Sequence, residues 1–430
     1  MKLCPAAALL AFLYATPSWA QSNFTLYGLL DSGVHIANTG DGSQVNLASG
    51  IAEGSRIGFK GTEELDNGFK AVFTLESRFE VDTGRNANGY PTSNVGTALF
   101  TGADSTLQLL GPAGAAALRN ALIQRLHSSR VVNPNGSIFD RTAMVGLITP
   151  GGAFLLGRQY TPGYEIFALS DPFEAGTAGG WGNIAGGIGG YTTSGVAIRA
   201  SDAIQYRLQL PNGFGASLMY AISGDSANNG TGTGSLNYSK RFWGANTRYQ
   251  ANGWNVGIGY NTEDDQTGNK SLTSWTMGGS YAFGNTKLFA GYHRMRNDNS
   301  ALIGVVNSEL PTMGVPVPIA SALANIIGNN AKLDAKSYTL GLHYTFDNSR
   351  IVTAVTHTDD ELATDAKATL YAVGYNYYLS KRTDLYGIVA HVENKNTAQY
   401  GLGGAGYTGG FSSEPGQDAN AVQLGIRHRF

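Results

Sequence analysis

The sequence predicts an all-β fold, a transmembrane antiparallel β-barrel of sixteen strands with long extracellular loops. The first observation is that apolar and polar side chains alternate in segments that recur from Phe24 to the chain end. In residues 421–430 (AVQLGIRHRF), one face of an extended strand carries Val422, Leu424, Ile426 and Phe430. The other face carries Gln423, Gly425, Arg427 and Arg429, because side chains along a strand have a period of two. Apolar-out and polar-in strands are typical of a barrel with lipid outside and water inside.

The second observation is an export signal at residues 1–20. Lys2 gives the positive start, residues 6–14 form a short apolar core, and residues 17–20 place small side chains at the positions that signal peptidase reads. We expect cleavage after Ala20, which leaves residues 21–430 as one barrel domain. Cys4, the only cysteine, is removed with the signal.

Composition excludes several classes of protein. The net charge of −2 becomes −3 once Lys2 is lost, and this near-balance argues against a nucleic-acid binder. No run of about eighteen apolar residues follows Ala20, so no transmembrane helix is predicted. A chain this polar can cross a membrane only as a closed barrel. Lipid offers no hydrogen-bond partner, so every backbone N–H and C=O group must pair with another strand. The 59 glycines suit tight turns and the 22 tyrosines suit girdles at the membrane surface. Composition alone leaves a secreted soluble β-protein as the alternative.

Short polar turns alternate with long loops, as expected for the two ends of such a barrel. Each turn carries Gly, Asn, Asp, Ser or Pro, which suit turn backbone angles. The turns are 63–68, 149–152, 211–213, 252–253, 284–285, 347–349 and 380–382. These seven turns, with a separate strand at each end of the chain, imply sixteen strands and eight outer loops.

The alternation then places the strand cores. Tyr338, Leu340 and Tyr344 share one face of strand twelve, whereas strand three carries Glu76 and Arg78 on the face that should line water. Residues 234–242 also look strand-like, which leaves the register of strands eight and nine open. The predicted cores are 24–36, 55–62, 69–81, 138–148, 153–161, 199–209, 214–222, 244–251, 254–262, 271–282, 286–296, 336–346, 350–358, 368–379, 383–394 and 420–430.

Several segments together resemble the Gram-negative general porins of the β-proteobacterial outer-membrane type, over nearly the whole chain after the signal. These segments are FTLYGLLDSGV (24–34), SRIGFKGTEELDNGFKAVFTLESRF (55–79), FDRTAMVGL (139–147), LLGRQYTP (155–162), YNYYLSKRTDLYG (375–387) and GIRHRF (425–430).

The resemblance implies a homotrimeric pore in the outer membrane of a Gram-negative bacterium, through which small polar solutes and ions diffuse passively. It implies a third outer loop folded into the lumen and no cofactor. Outer-membrane lipid, lipopolysaccharide and the barrel insertion machinery are the further partners that it implies. That machinery reads a terminal aromatic residue, here Phe430. Outward apolar residues on the first and last strands, such as Leu26, Leu30, Val422 and Leu424, suit contacts between subunits.

The resemblance also implies a basic wall on the pore. Arg56, Arg141 and Arg199 fall where the family carries a basic cluster, and Arg158, Lys60 and Arg78 extend the cluster. A guanidinium group stays charged at any relevant pH. Strand alternation places Arg141 on the same face as apolar residues. A local β-bulge is therefore needed to turn its side chain toward the pore.

The opposing wall is expected from the third loop, residues 162–198. This loop contains Glu165, Asp171 and Glu174, followed by a glycine-rich run that can fold tightly inside the lumen. Carboxylates facing arginines across a narrow gap create a transverse field that favours polar solutes. The alternative is that these acids are solvated or form ordinary salt bridges.

Two loops depart from the family pattern, 82–136 and 301–334, and both are unusually apolar. The first contains a helical stripe of Leu118, Leu122, Ile123 and Leu126. We expect these loops to pack, either against each other over the mouth or against a neighbouring subunit, and a substrate-binding lid is the alternative.

Other functions are less well supported by the sequence. The seven histidines are scattered, and no nucleophile or zinc motif occurs, so neither an enzyme nor a metal site is predicted. A substrate-selective channel, its mouth narrowed by the long second and sixth loops, is the main alternative. An adhesin or assembly-type barrel is a further alternative, and it would show no solute flux.

Overall fold

A computed structural model describes residues 22–86, 97–128, 137–186, 197–222, 241–264, 268–299, 307, 310–407 and 409–430, with the backbone alone for 121–128. The predicted signal peptide, residues 1–20, lies outside these ranges, and so does most of the strand-like segment 234–242.

Sixteen of the eighteen strands found in the described ranges close into one antiparallel ring. The two others are short additions, β2 beside β1 and β7 beside β6. The strands are β1 Ser22–Asn38, β2 Ser43–Ser49, β3 Arg56–Glu64, β4 Lys70–Arg78, β5 Thr142–Thr149, β6 Gly152–Tyr160, β7 Arg199–Ala200, β8 Ala203–Gln209, β9 Phe214–Ala221, β10 Arg241–Ala251, β11 Trp254–Asp264, β12 Lys270–Phe283, β13 Thr286–Asn297, β14 Leu333–Phe346, β15 Ser349–Asp360, β16 Lys367–Tyr378, β17 Thr383–Lys395 and β18 Ala419–Arg429. The predicted sixteen-stranded barrel is confirmed.

Two predicted strands differ from the structure near the site. The fourth begins at Thr142 rather than at 138, so Arg141 lies in a bend before β5. The sixth, predicted as 199–209, is split into β7 and β8, because Asp202 between them has a positive φ of 51°. A left-handed residue interrupts an extended strand.

The ring closes between the first and last strands. β1 pairs with β18 from Leu29↔Arg429 to Asn38↔Asn420. Phe430 N donates to Gly28 O and Gly28 N donates to Phe430 O, both at 3.1 Å. A Cβ on Gly28 would lie 2.2 Å from the Phe430 ring, so glycine is required for this approach.

The outer surface of β10 to β14 carries aromatic rows at two levels. Tyr260 packs on Trp275 and Tyr292 on Tyr338, with ring centroids 4.4 and 5.2 Å apart. Nearer the short turns, Trp254 packs on Tyr281 at 4.3 Å. Tyrosine and tryptophan concentrate at both membrane surfaces, so these rows mark the two edges of the lipid-facing band. None of the helices in the described ranges is both long and apolar enough to span a bilayer.

The third loop, which carries helix α3 (Pro162–Ser170), folds into the lumen. Trp181 Nε1 donates to Ser337 Oγ at 2.7 Å, and Thr358 Oγ1 donates to Ile184 O at 2.9 Å. Ser337 and Thr358 are inward-facing residues of β14 and β15. The loop is therefore bound to the inner wall.

The other α-helices in the described ranges belong to the second and sixth loops. The second loop (79–141) contains α1 Asp104–Gln108 and α2 Gly111–Ser128, and the sixth loop (298–332) contains α4 Val317–Asn330. Buried residues of both loops form one hydrophobic cluster. Of the two packing arrangements left open by the sequence, the structure shows the loops against each other.

Candidate pore constriction

A cavity of about 230 Å³ lies in the lumen between the barrel wall and the in-folded loops. Tyr160 and Tyr164 line one part of it. Its charged lining consists of Arg56, Arg78, Arg141, Arg199 and Arg427 with Glu53 and Glu174. The cavity is therefore lined by five guanidinium groups and two carboxylates.

Arg141 is fixed by Glu76, an inward residue of β4. Its backbone N donates to Glu76 O at 3.2 Å, and its Nε donates to Glu76 Oε1 at 2.6 Å. Because Arg141 precedes β5, the alternation along that strand does not set its direction. Its position in the lumen needs no bulge within the strand.

Tyr160, the last residue of β6, joins Arg141 to Arg199. The Tyr160 hydroxyl accepts from Arg141 Nη2 at 3.1 Å and from Arg199 Nη2 at 2.6 Å. The Arg199 guanidinium also lies 4.2 Å from the centre of the Tyr160 ring, a cation–π contact. The strand register explains both contacts between these residues, since β7 places Arg199 directly opposite Tyr160 on β6.

Arg56 completes the cluster. Arg56 Nη2 donates to Glu53 Oε1 at 2.5 Å, and Arg56 Nη1 lies 3.8 Å from Glu76 Oε2. Tyr27 donates its hydroxyl hydrogen to the same Glu76 oxygen at 3.1 Å. Arg56, Arg141 and Arg199 are thus held in one cluster by shared partners, and the structure brings together the three residues that the resemblance implied.

The three residues expected to extend this wall have different positions. Arg78 lines the cavity, pairs with Asp140 and donates to Gly406 O at 2.9 Å. Arg158 is outside the lining, where its Nε donates to Asp140 O at 2.6 Å. Lys60 lines a separate cavity of about 420 Å³ nearer the short turns. Only Arg78 of the three lines the same cavity as the cluster.

The acids of the third loop also differ in position. Glu174 lines the cavity, and its Oε1 accepts from Arg350 Nη1 at 2.8 Å. Although burial opposes ionisation, this ion pair lowers the pKa of Glu174. Glu165 is outside the lining and forms a salt bridge with Arg207 on β8.

Asp171 does not face the arginines. Its carboxylate is 1% exposed and accepts from the backbone N of Phe173, Ala175 and Trp181 at 2.9, 3.2 and 2.8 Å. Burial raises the pKa of Asp171 to about 7, against the opposing effect of these three donors. The expectation that Asp171 belongs to the charged wall is therefore corrected: its contacts lie within the third loop.

Sequence reasoning missed a second group of charges. Arg427 donates from Nε and Nη2 to the two oxygens of Asp384 at 3.0 and 3.1 Å, a bidentate pair. Glu53 Oε2 accepts from Arg429 Nη2 at 2.9 Å and from Arg427 Nη1 at 3.4 Å. The cationic face of the last strand was visible in the sequence, but its carboxylate partners come from distant segments.

The eighth loop (396–418) was also missed as part of the site. Gly403 N donates to Asn183 Oδ1 in the third loop at 2.9 Å, and Ala405 N donates to Ile51 O in the first loop at 2.9 Å. Ala405 lines the cavity. The glycine-rich run GLGGAGYTGG (401–410) is the sequence signal that allows this close packing.

Comparison with known proteins agrees with this architecture. A family model described as Gram-negative porin matches residues 6–397. The chain is 27% identical to an outer membrane porin protein of Bordetella pertussis, with 100% of both chains covered. It is also 27% identical to outer membrane porin protein 32 of Delftia acidovorans, over 96% of this chain and 95% of that one.

Two solved structures share the fold. An anion-selective porin from Comamonas acidovorans matches with a TM-score of 0.66 and 24% identity, over 95% of this chain and 100% of that one. The trimer form of OmpT from Vibrio cholerae matches with a TM-score of 0.56 and 12% identity, over 95% and 99%. The closed barrel and the family match over most of the sequence lead to one conclusion: this chain is an outer-membrane β-barrel that belongs to the Gram-negative porin family.

Proposed function

We propose that the protein is a passive diffusion channel for small hydrophilic solutes and ions, and that the cluster of Arg56, Arg141 and Arg199 makes its constriction prefer anions. The observation that carries this proposal is the charge of the constriction cavity. Five arginines line it against two glutamates. Because guanidinium groups remain protonated, the excess positive charge does not depend on pH in the ordinary range.

The contacts within the cluster support a fixed wall rather than a flexible binding site. Glu76 and Tyr160 each hold two arginines, and Arg199 is 3% exposed. A charged group that cannot turn away from the lumen keeps its field on a passing ion, and a low-dielectric wall strengthens that field.

The Comamonas porin is described as anion-selective, and at 24% identity its likeness to this chain shows the fold alone. The selectivity of this chain is therefore a proposal that follows from its own residues.

A single-channel recording of the purified protein in a planar bilayer, with a KCl gradient, tests the proposal. We expect steady conductance and a reversal potential whose sign shows that chloride permeates better than potassium. Absence of conductance would exclude a channel and favour an adhesin or assembly role. Saturable block by one solute class would favour the substrate-selective alternative, and a potential on the potassium side would contradict the anion preference.

We also propose a homotrimer, with the contact surface on β1, β3, β4, β5 and β18. On these described strands the large apolar residues at outward positions are aliphatic residues and phenylalanine, and neither tyrosine nor tryptophan occurs there. The other outward residues are small or polar, among them Ser32, Ser77 and His428. Leu26, Val145 and Leu424 are 51–58% exposed there. A barrel face that touches protein instead of lipid needs no interfacial girdle. Mild-detergent electrophoresis before and after boiling should show a heat-resistant trimer, and a monomer band in both lanes would exclude it.

The ends of the chain complete the proposal. We expect residues 1–20 to be removed on export, which N-terminal sequencing of the outer-membrane protein should show as a start at Gln21. Phe430 is proposed as the residue that the insertion machinery reads, and lipopolysaccharide as the lipid around the extracellular half of the barrel.

A further inference from the structure

The second and sixth loops are attached to opposite sides of the barrel. The second loop joins β4 to β5, the third and fourth strands of the ring, and the sixth joins β13 to β14, the eleventh and twelfth. These positions are eight strands apart in a ring of sixteen. Two loops that leave the same end of a barrel from opposite walls can meet only across its opening.

The two loops meet through a dry hydrophobic contact. The contact residues are 0–2% exposed, with Leu99, Phe100 and Leu107 from the second loop and Leu323 and Ile327 from the sixth. Burial of this many large apolar side chains favours one persistent arrangement over an opening and closing lid.

Polar contacts fix the arrangement at two further points. Asn330 Nδ2, at the end of α4, donates to Leu99 O and Thr101 O at 2.8 and 2.9 Å. Ala98 N donates to Gln399 Oε1 of the eighth loop at 2.6 Å, and Gln399 is fully buried. The eighth loop joins β17 to β18, so the assembly is tied to a third place on the barrel rim.

We propose that the second and sixth loops form a fixed arch across the extracellular mouth, which limits the size of solutes before they reach the arginine cluster. The arch divides the opening, so hydrophilic solutes must enter beside it. Because its buried contacts hold it in one place across the opening, it selects by bulk, whereas the arginine cluster selects by charge. The pore then has two filters in series. This inference rests on the proposed diffusion function.

Polymer exclusion in single channels tests the arch directly. Neutral polyethylene glycols of increasing size are added to one side of the bilayer, and those that enter the pore lower its conductance. For the wild type we expect a smaller size limit from the extracellular side than from the periplasmic side.

The double variant Leu323→Asp, Ile327→Asp puts carboxylates into the hydrophobic contact and should raise the extracellular limit toward the periplasmic one. Its reversal potential in a salt gradient should equal that of the wild type, because the arginine cluster is unchanged. Val317→Asp is the matched control, since Val317 lies on the same helix and is 67% exposed. This control should keep the wild-type limit.

Two outcomes would overturn the arch. One is equal size limits from both sides in the wild type, a measurement that needs no substitution. The other is an unchanged extracellular limit in the double variant when its barrel still shows the heat-dependent gel shift of a folded porin. Loss of conductance in the wild type would instead contradict the diffusion function, so the two failures are distinguishable.

Discussion

Replacement of Arg56, Arg141 and Arg199 by glutamine should remove the anion preference of the pore. Five arginines and two glutamates line the wild-type cavity, and Glu76 lies behind the cluster. The triple variant loses three positive charges and keeps Arg78 and Arg427 with Glu53, Glu174 and Glu76. Glu76 retains the hydrogen bond from Tyr27, so the removed pairs do not leave this carboxylate without a donor.

The size of the effect follows from Coulomb energies. An ion roughly 5 Å from one guanidinium in water gains about 0.8 kcal/mol, and screening at physiological salt reduces this to about 0.4 kcal/mol. Three charges together give about 1.3 kcal/mol, which is about a tenfold change in local anion concentration. Local cation concentration changes by a similar factor in the opposite direction.

Reversal potentials in a KCl gradient measure the effect. We expect a shift from the chloride side toward the potassium side, with a higher conductance because glutamine is shorter than arginine. Arg296→Gln makes the same kind of substitution at one outward side chain that is 61% exposed, and should leave the potential unchanged. If triple-variant trimers form normally and their potential equals the wild-type value, the arginine cluster does not set selectivity.

Three further predictions concern single groups. Glu174→Gln removes a lining carboxylate and should raise the anion preference about twofold by the same Coulomb estimate, again read from the reversal potential; a shift toward potassium would contradict it. The raised pKa of Asp171 means that its stabilisation of the third loop is fully present below the ordinary aspartate pKa and is lost as pH rises through about 7. Hydrogen exchange of loop amides should therefore speed up between about pH 4 and 7 beyond the intrinsic rate, and Asp171→Asn should remove that extra dependence. Deletion of Phe430 should lower the amount of folded barrel in the outer membrane without altering the conductance of channels that do form, and normal levels would exclude an assembly role.

The strands were predictable because their signals are local. Period-two alternation and turn residues such as Asn252–Gly253 act within a few positions, and all sixteen predicted strands have counterparts in the ring. The short strand β2 was not predicted, because it lies inside a loop and pairs with the upper half of β1.

The site was predictable only in part, because its geometry depends on residues far apart in the chain. The family resemblance named Arg56, Arg141 and Arg199, but not the Glu76 and Tyr160 that hold them. The role of Asp171 could not be read from its charge, because its three donors exist only once the third loop has folded back on itself. Long-range contacts of this kind leave no periodic signal.

The seam between β1 and β18 also shapes how the chain must fold. Its register joins Leu29 to Arg429, nearly the full length of the chain apart, whereas the other ring strands pair with a neighbour in sequence, most of them through short connections. Contacts between residues so far apart in the chain form late, because the entropic cost of closing a long loop comes before any stabilisation from strand pairing. Until then the growing sheet has two free edges that can pair with other chains. The barrel therefore carries its greatest risk of aggregation in the interval before its final hydrogen bonds, and a chaperone would have to cover both edge strands to protect the whole molecule.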